Sequence, residues 1–366
     1  MDFQTFFVYF LLIIVLLLYA KQSTRLSKFR HVPITDYSFV IPILFFSLII
    51  GLRYMVGTDY PTYLNLVQNS TTVPYFHSLE PFFQHLILFI ERYNLHFSWF
   101  FIISAFLQIF FFYKSFDRPL LFLLPWAVPL FLMQEMGALV NVVRHFTALM
   151  IFFYSLKHIK DHKLIYYIIT ILIASLFHTS VLICLPLYFI VQRELIKSVF
   201  LRFGLVLIFL IAAEVLRSIL LRFSEQLFIL FGYGKYLNSE MRDDNAGIGY
   251  ILILILNFII IGFYTKLKEY YLKSGFMIYW NLFYFGLLLK PIFDFFGHTA
   301  RVNWYFYKFR FLLSAFLLHY LYQHRNNPIY LVFFIIFLFL NIFIFIHGIM
   351  KGSNDMSPFY FIWDKL

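Results

Sequence analysis

Two ionisable residues stand in this chain where a lipid-facing helix should carry none. Arg144 lies inside the apolar stretch 137–156, and His178 lies in Leu176-Phe177-His178-Thr179-Ser180 between two apolar runs. A charge at bilayer depth costs on the order of 3 kcal/mol on the mildest insertion scale, so it calls for a partner, a wet cavity or a ligand. Arg144 suits a fixed cation for a phosphate or carboxylate, because guanidinium stays charged and offers forked donors; the other reading is an ion pair with a buried acid such as Glu214. His178 suits a general base, a phosphate donor or an oxyanion stabiliser, or else a core histidine closing a helix turn.

A polar stretch adds further candidates: Gly51-Leu52-Arg53-Tyr54-Met55-Val56-Gly57-Thr58-Asp59-Tyr60-Pro61-Thr62-Tyr63, then Glu80-Pro81. Asp59 reads as a base or a sugar-hydroxyl acceptor, with Tyr60 and Tyr63 as stacking surfaces, or as the acid that heads a helix. Glu80, before a proline at a helix start, carries the same two readings. Arg301, in His298-Thr299-Ala300-Arg301-Val302-Asn303-Trp304-Tyr305, is a second phosphate ligand or an interfacial anchor.

Several chemistries are absent from the sequence. There is no Walker-type loop, dinucleotide fingerprint, HExxH motif or G-x-S-x-G elbow. The single cysteine, Cys184, offers neither an intrachain disulfide nor a Cys-based metal site, and the histidines lack metal-ligand spacing. No metal and no cofactor are expected.

Composition fixes what must position these residues. Of 366 residues, 62% are hydrophobic and 13% charged, with mean hydropathy +0.81, which marks a polytopic membrane protein. The net charge of +11 does not indicate nucleic acid, because the bases fall in short loops between apolar segments, where they set orientation. The 53 Phe and 27 Tyr accompany abundant Ile, Leu, Lys and Asn, so nucleotide bias in the gene accounts for them as well as function does. The run 3–19 lacks a basic leader and a small-residue cleavage site, so it reads as a retained helix.

With about 20 residues needed per crossing, the expected fold is one all-α integral membrane domain, 1–366, a bundle of about 12 crossings. They fall near 3–20, 37–53, 97–113, 120–134, 137–156, 164–177, 178–191, 199–217, 248–265, 276–290, 301–322 and 328–349. Bases such as Arg25, Lys114, Lys157, Arg202 and Lys266 collect on one side, while Asp59, Glu80, Glu135 and Asp294 collect on the other. The positive-inside rule then places both termini and the loops 53–96, 218–247 and 290–300 outside. This register requires that 81–96 not cross. Phe82, Phe83, Leu86, Ile87, Ile90 and Tyr93 share one helical face there, which predicts an amphipathic helix on the outer surface. A helix beginning at Gly137 puts Arg144 about 10 Å below the outer surface. The short segment 164–177 climbs only about 21 Å of a roughly 30 Å core, which leaves His178 near the same depth.

These residues carry a resemblance. Gly51…Arg53…Gly57-Thr58-Asp59-Tyr60…Tyr63, Glu80-Pro81-Phe82, Asn141…Arg144…Ala148, Phe177-His178-Thr179-Ser180 and Arg301…Tyr305 resemble the EpsG-like branch of the Wzy polysaccharide polymerases. His145 stands where many relatives carry glutamine. The resemblance implies polymerisation of exopolysaccharide, capsule or O-antigen repeat units on the outer face of a bacterial inner membrane. It implies a growing glycan on a polyprenyl diphosphate as donor and a lipid-linked repeat unit as acceptor. A chain-length copolymerase and a flippase are implied as partners, and nucleic acid is not.

The mechanism expected on that basis is metal-independent glycosyl transfer. Arg144, with Arg301 and Arg53, stabilises charge on the leaving diphosphate, and Asp59, Glu80 or His178 activates the acceptor hydroxyl. Arg53, Tyr60, Tyr63, Asn141, Arg301 and Tyr305 are the substrate-binding candidates. Two other classes stay open: a membrane O-acyltransferase acting on glycans, and a transporter or flippase of lipid-linked sugars, for which Glu214, Lys308 and Arg310 are the relevant charges.

Overall fold

Within a bilayer every backbone N–H and C=O must be satisfied inside its own segment, and a chain this apolar answers with helices. The computed structural model describes residues 3–70, 72–230, 247–293 and 300–364, and their regular structure is helical apart from one pair of two-residue strands. The chain is an all-α membrane protein. Its contacts divide it into two units, Met1–Tyr188 with Tyr322–Leu366, and Phe189–Leu321.

In the first unit, α1 (Phe3–Leu26) and α2 (Tyr37–Gly51) form a hairpin, followed by strand β1 (Arg53–Tyr54), α3 (Tyr60–Gln68) and α4 (Pro81–Arg92). Then come α5 (Ser98–Lys114), α6 (Leu124–Asn141), α7 (Val143–Lys160), α8 (Leu164–Ser175), a 3₁₀ turn over Thr179–Cys184 and the short α9 (Leu187–Ile190). Helix α1 packs on α2 and α6, α2 on α5, α5 on α7, and α7 on α8. Between apolar helices in lipid the gain comes from close packing. At Gly51 the approach is close: a Cβ there would lie 2.5 Å from the Cα of Ile102 on α5. Aromatic rings fill the interior, with Phe112 stacked on Phe131 at 4.2 Å.

The second unit contains α10 (Val199–Leu230), α11 (Ile248–Tyr271), α12 (Phe276–Phe293), α13 (Ala300–Tyr307) and most of α14 (Arg310–Gln323). Helix α12 packs against α10, α11 and α13. Glu194 accepts hydrogen bonds from the Tyr264 hydroxyl at 2.8 Å and the Lys268 ammonium at 2.7 Å, and the buried Arg202 guanidinium lies 3.3 Å from the Tyr264 ring centre.

Helix α15 (Pro328–Met350) returns to the first unit along α6, and the residues after it fold back over one end. There β2 (Tyr360–Phe361) pairs antiparallel with β1, Phe359 N–H donates to Thr5 Oγ1 at 2.7 Å, and the Tyr9 hydroxyl donates to Met356 O at 2.8 Å. The starts of α1 and β1 therefore lie at this end. The opposite end is basic: it holds the ion pairs Arg30–Asp36 and Lys160–Asp117 and the hydrogen bond from Thr24 to Leu121 O.

By length and apolarity, four described helices can cross a membrane: Phe3–Leu26, Leu121–Asn141, Phe276–Phe293 and Pro328–Met350. The pair Ile248–Gly262 and Tyr264–Ser274, bent by 57°, makes a fifth. Five further apolar helices are shorter. Several boundaries differ from the sequence expectation. The helix expected over 199–217 continues to Leu230, because no Pro or Gly stands between 218 and 230, so the outer loop expected at 218–247 begins as helix. The remainder of that loop, 231–246, lies outside the described residues. The segment 178–191 forms the 3₁₀ turn and α9, and 301–322 breaks between Tyr307 and Arg310. The amphipathic helix expected within 81–96 is α4, with Phe83, Leu86, Ile87 and Ile90 buried.

Candidate functional site

The site begins with how α4 is seated. Pro81 occupies its first turn, where a missing N–H costs nothing. The next free donor, Phe82 N–H, reaches out of the helix to Leu176 O at 3.2 Å, and the Phe82 ring lies against Phe177 at 4.2 Å. The start of α4 is thus docked on the corner that follows α8. His178, extended at that corner, is brought beside Glu80. Glu80 holds the N-cap position of α4, yet its carboxylate makes no capping hydrogen bond.

That carboxylate is shared between two partners. Oε1 accepts from His178 Nδ1 at 2.5 Å, and Oε2 accepts from Arg144 Nη1. Burial pulls the Glu80 carboxyl upward, but the His178 hydrogen bond and the Arg144 charge outweigh it and hold it below its ordinary value. An ionised carboxylate only accepts, so His178 carries its proton on Nδ1 and leaves Nε2 as the ring's acceptor. Glu80 is 7% exposed, whereas Arg144 and His178 keep 28% and 24% of their side chains open. The acid is therefore the most buried of the three, and the two basic side chains are the more open. Arg144 Nε is buried with no hydrogen-bond partner, so the guanidinium has a donor to spare, while Tyr63 is within hydrogen-bond reach of the same group. The buried His145 ring stands edge-on to His178 at 5.1 Å. Among the described residues, no three His, Cys, Asp or Glu side chains group as metal ligands do.

The loop between α2 and α3 is built differently from its sequence reading. Arg53, expected as a substrate ligand, is 1% exposed, and its guanidinium donates to Ile50 O, Val56 O and Val140 O at 2.6, 3.2 and 2.9 Å. Tyr60, expected as a stacking surface, is fully buried. It is stacked on Phe101 at 4.3 Å, and its hydroxyl donates to Arg53 O. Asn141 ties the loop down. It accepts from Asp59 N–H at 3.1 Å and donates to Gly137 O at 2.8 Å and Asn354 O at 3.0 Å. Gly57, at φ 103°, passes so close that a Cβ would lie 3.0 Å from Asn141 Oδ1 and Val140 O, and its N–H donates to Asp355 O. Asp59 heads α3 half-buried, without a side-chain cap.

Helix α6 does not stop near residue 134 but runs to Asn141, and α7 starts at Val143 after Val142 leaves helical geometry. Arg144 therefore lies in the first turn of α7, at its end rather than seven residues down. The partner acid is Glu80; the Glu214 side chain lies outside the described residues. Arg301 and Tyr305, which is fully buried and so does not present the substrate surface expected of it, lie on α13 in the second unit. Sequence reasoning missed the turn 352–355, which braces the loop through Asn354 and Asp355. Its Gly352-Ser353-Asn354-Asp355 composition marks a turn but names no partner.

No curated protein and no solved structure matches the chain. A model of the EpsG family matches residues 36–361, a stretch that holds Arg53, Glu80, Asn141, Arg144, His178 and the returning strand β2. By that match the chain belongs to the EpsG family.

Proposed function

We propose that this protein is a polysaccharide polymerase that transfers a growing glycan from a polyprenyl-diphosphate carrier to a lipid-linked repeat unit on the outer face of a bacterial inner membrane. The observation that carries the reading is Glu80, held between Arg144 and His178 at the end of the first unit away from the basic loops. By the positive-inside rule the basic end faces the cytoplasm and the Glu80 end faces outward. In this reading the shorter apolar helices, such as Tyr37–Gly51 and Ser98–Lys114, are crossings as well, toward the twelve expected.

The donor's anomeric carbon is bonded to a diphosphate oxygen. His178 Nε2 takes the proton of the acceptor hydroxyl, the hydroxyl oxygen bonds to the anomeric carbon, and the old C–O pair leaves with the diphosphate. Glu80 fixes the ring tautomer and stabilises the imidazolium that forms. Arg144 offers the open part of its guanidinium and its charge to the leaving diphosphate, so in this scheme the guanidinium supplies the charge a metal would supply. Tyr63 orients Arg144. Arg53, Tyr60 and Asn141 are positioning residues for the loop that carries Asp59 and Tyr63, whereas Arg301 is a substrate contact of the second unit and the fully buried Tyr305 a positioning residue of its helix. A flippase delivering acceptor and a copolymerase limiting chain length are the partners this reaction calls for.

The test is glycan length on a gel from cells lacking the protein, complemented at matched membrane levels. Wild type restores a ladder, and Arg144→Ala and His178→Ala leave single repeat units on the carrier. A full ladder from Arg144→Ala sinks the mechanism. A ladder that persists in the deletion but lacks acyl groups indicates an acyltransferase, and single units confined to the cytoplasmic side indicate transport.

A further inference from the structure

His145 takes no part in the proposed transfer, yet its ring is buried against the group that does. It is 2% exposed, and its buried neighbours on α7, Phe146, Ala148, Leu149 and Met150, are of the kind that fill such a place without loss. Taking a polar ring out of water costs free energy that a hydrocarbon side chain does not cost, so a histidine at this position calls for a cause.

The cause is in how α7 begins. Arg144 and His145 are its second and third residues, and they divide the Glu80–His178 pair between them. The Arg144 guanidinium is on the carboxylate, and the His145 ring is on the imidazole, with ring centres 5.1 Å apart and planes at 67°. The turn that carries both is itself held. Val143 O accepts from Gln108 Nε2 of α5 at 3.2 Å and from Thr147 Oγ1 at 2.8 Å, and Gln108 is 1% exposed.

Glu80 alone does not fix the imidazole. One hydrogen bond at Nδ1 leaves the ring free to turn about that bond, and the terminal torsion of histidine is broad. A second ring set edge-to-face against it, an arrangement such pairs prefer, removes that freedom. Nε2 then points one way.

We propose that His145 is a positioning residue, whose ring fixes the plane of the His178 imidazole and so aims Nε2 at the acceptor hydroxyl. The inference rests on the polymerase reading, in which Nε2 takes the proton of that hydroxyl while its oxygen bonds to the anomeric carbon. Misaiming the proton acceptor slows transfer and leaves acceptor binding as it was, which separates this role from packing alone.

Membranes of complemented cells are supplied with lipid-linked repeat units extracted from the deletion strain. The initial rate of extension is read against acceptor concentration, per mole of protein that elutes as wild type does after detergent extraction. His145→Leu, close in bulk but not flat, is expected to lower kcat by roughly two- to tenfold, the range that an aromatic contact converts to, with KM for acceptor unchanged. The solvent deuterium isotope effect on kcat rises in the same variant, because the proton transfer has slowed. His145→Phe, flat and apolar, restores most of kcat and the wild-type isotope effect. His145→Met, whose flexible chain fills irregular gaps, takes the place of His145→Leu should the latter not fold. If these two variants keep the wild-type kcat or change KM alone, or if His145→Phe is as slow as they are, the positioning role is overturned and the polymerase reading stands. A wild-type chain that extends nothing overturns that reading and this inference with it.

Discussion

Glu80 and His178 lie 98 residues apart in the chain and meet at 2.5 Å between Oε1 and Nδ1. The contact makes the carboxylate an acceptor and the imidazole a donor on that side, so the nitrogen left to accept a proton is the one turned away. Removing the charge while keeping the shape is the direct probe. Glu80→Gln is expected to lower the rate of glycan extension by roughly 10²–10⁴-fold, the range for general acid–base groups, with membrane level unchanged. Extension at the wild-type rate, measured on isolated membranes with a lipid-linked acceptor, removes Glu80 from the chemistry.

Acid stability follows from the same carboxylate. Its native pKa lies below the unfolded value of about 4.3, so the native state binds fewer protons than the unfolded state near that pH. The stabilisation is fully present above about pH 4.3 and is lost as pH falls through the lowered native value. Thermal unfolding of the detergent-purified chain between pH 3 and pH 7 checks the sign. Wild type loses midpoint temperature toward the acid side, and Glu80→Gln lacks that component.

Arg53 is expected to matter for stability before it matters for substrate. Its three carbonyl partners are on α2, on the following loop and at the end of α6, and lysine cannot span them with one ammonium. Arg53→Lys should cost about 3 kcal/mol, the scale of losing two hydrogen bonds from a charged group. The readout is a lower unfolding midpoint. An unchanged midpoint combined with weaker acceptor binding restores Arg53 as a ligand.

Asn141→Ala removes three hydrogen bonds that join Asp59, Gly137 and Asn354. The expected loss is about 1–3 kcal/mol, concentrated in the loop 55–59. Limited proteolysis should cut that loop faster while the helices stay protected, and extension should fall with it. Faster cutting without slower extension separates the loop from catalysis.

Much of the site could be read from residue types. Arg144, His178 and Glu80 each stood out as ionisable groups in apolar or helix-start settings, and the amphipathic face of α4 was visible in its period. Their meeting was not visible, because it depends on where α6 gives way to α7. The stretch from Glu135 to Arg144 contains no proline and only Gly137, so the sequence offers a false break at the glycine and no sign of the real one at Val142. Arg53 and Tyr60 misled for another reason. A base and an aromatic in an outer loop are the residue types of a sugar site and also those of a buried cation with its ring, and only the fold shows that Phe101 and three carbonyls surround them. The short helices beyond the four or five long ones lack the length that would identify a crossing from composition.

The brace at residues 352–361 also bears on when the protein becomes active. During translation the loop at 52–59 leaves the ribosome early, yet its partners, Asn354, Asp355 and β2, emerge only after α15 has been made. Contacts so distant in sequence form last, since the intervening chain must be in place before their ends can meet. A nascent chain that has made Glu80, Arg144 and His178 therefore still has the neighbouring loop unfastened, and the candidate site is braced only once the segment after α15 has joined it.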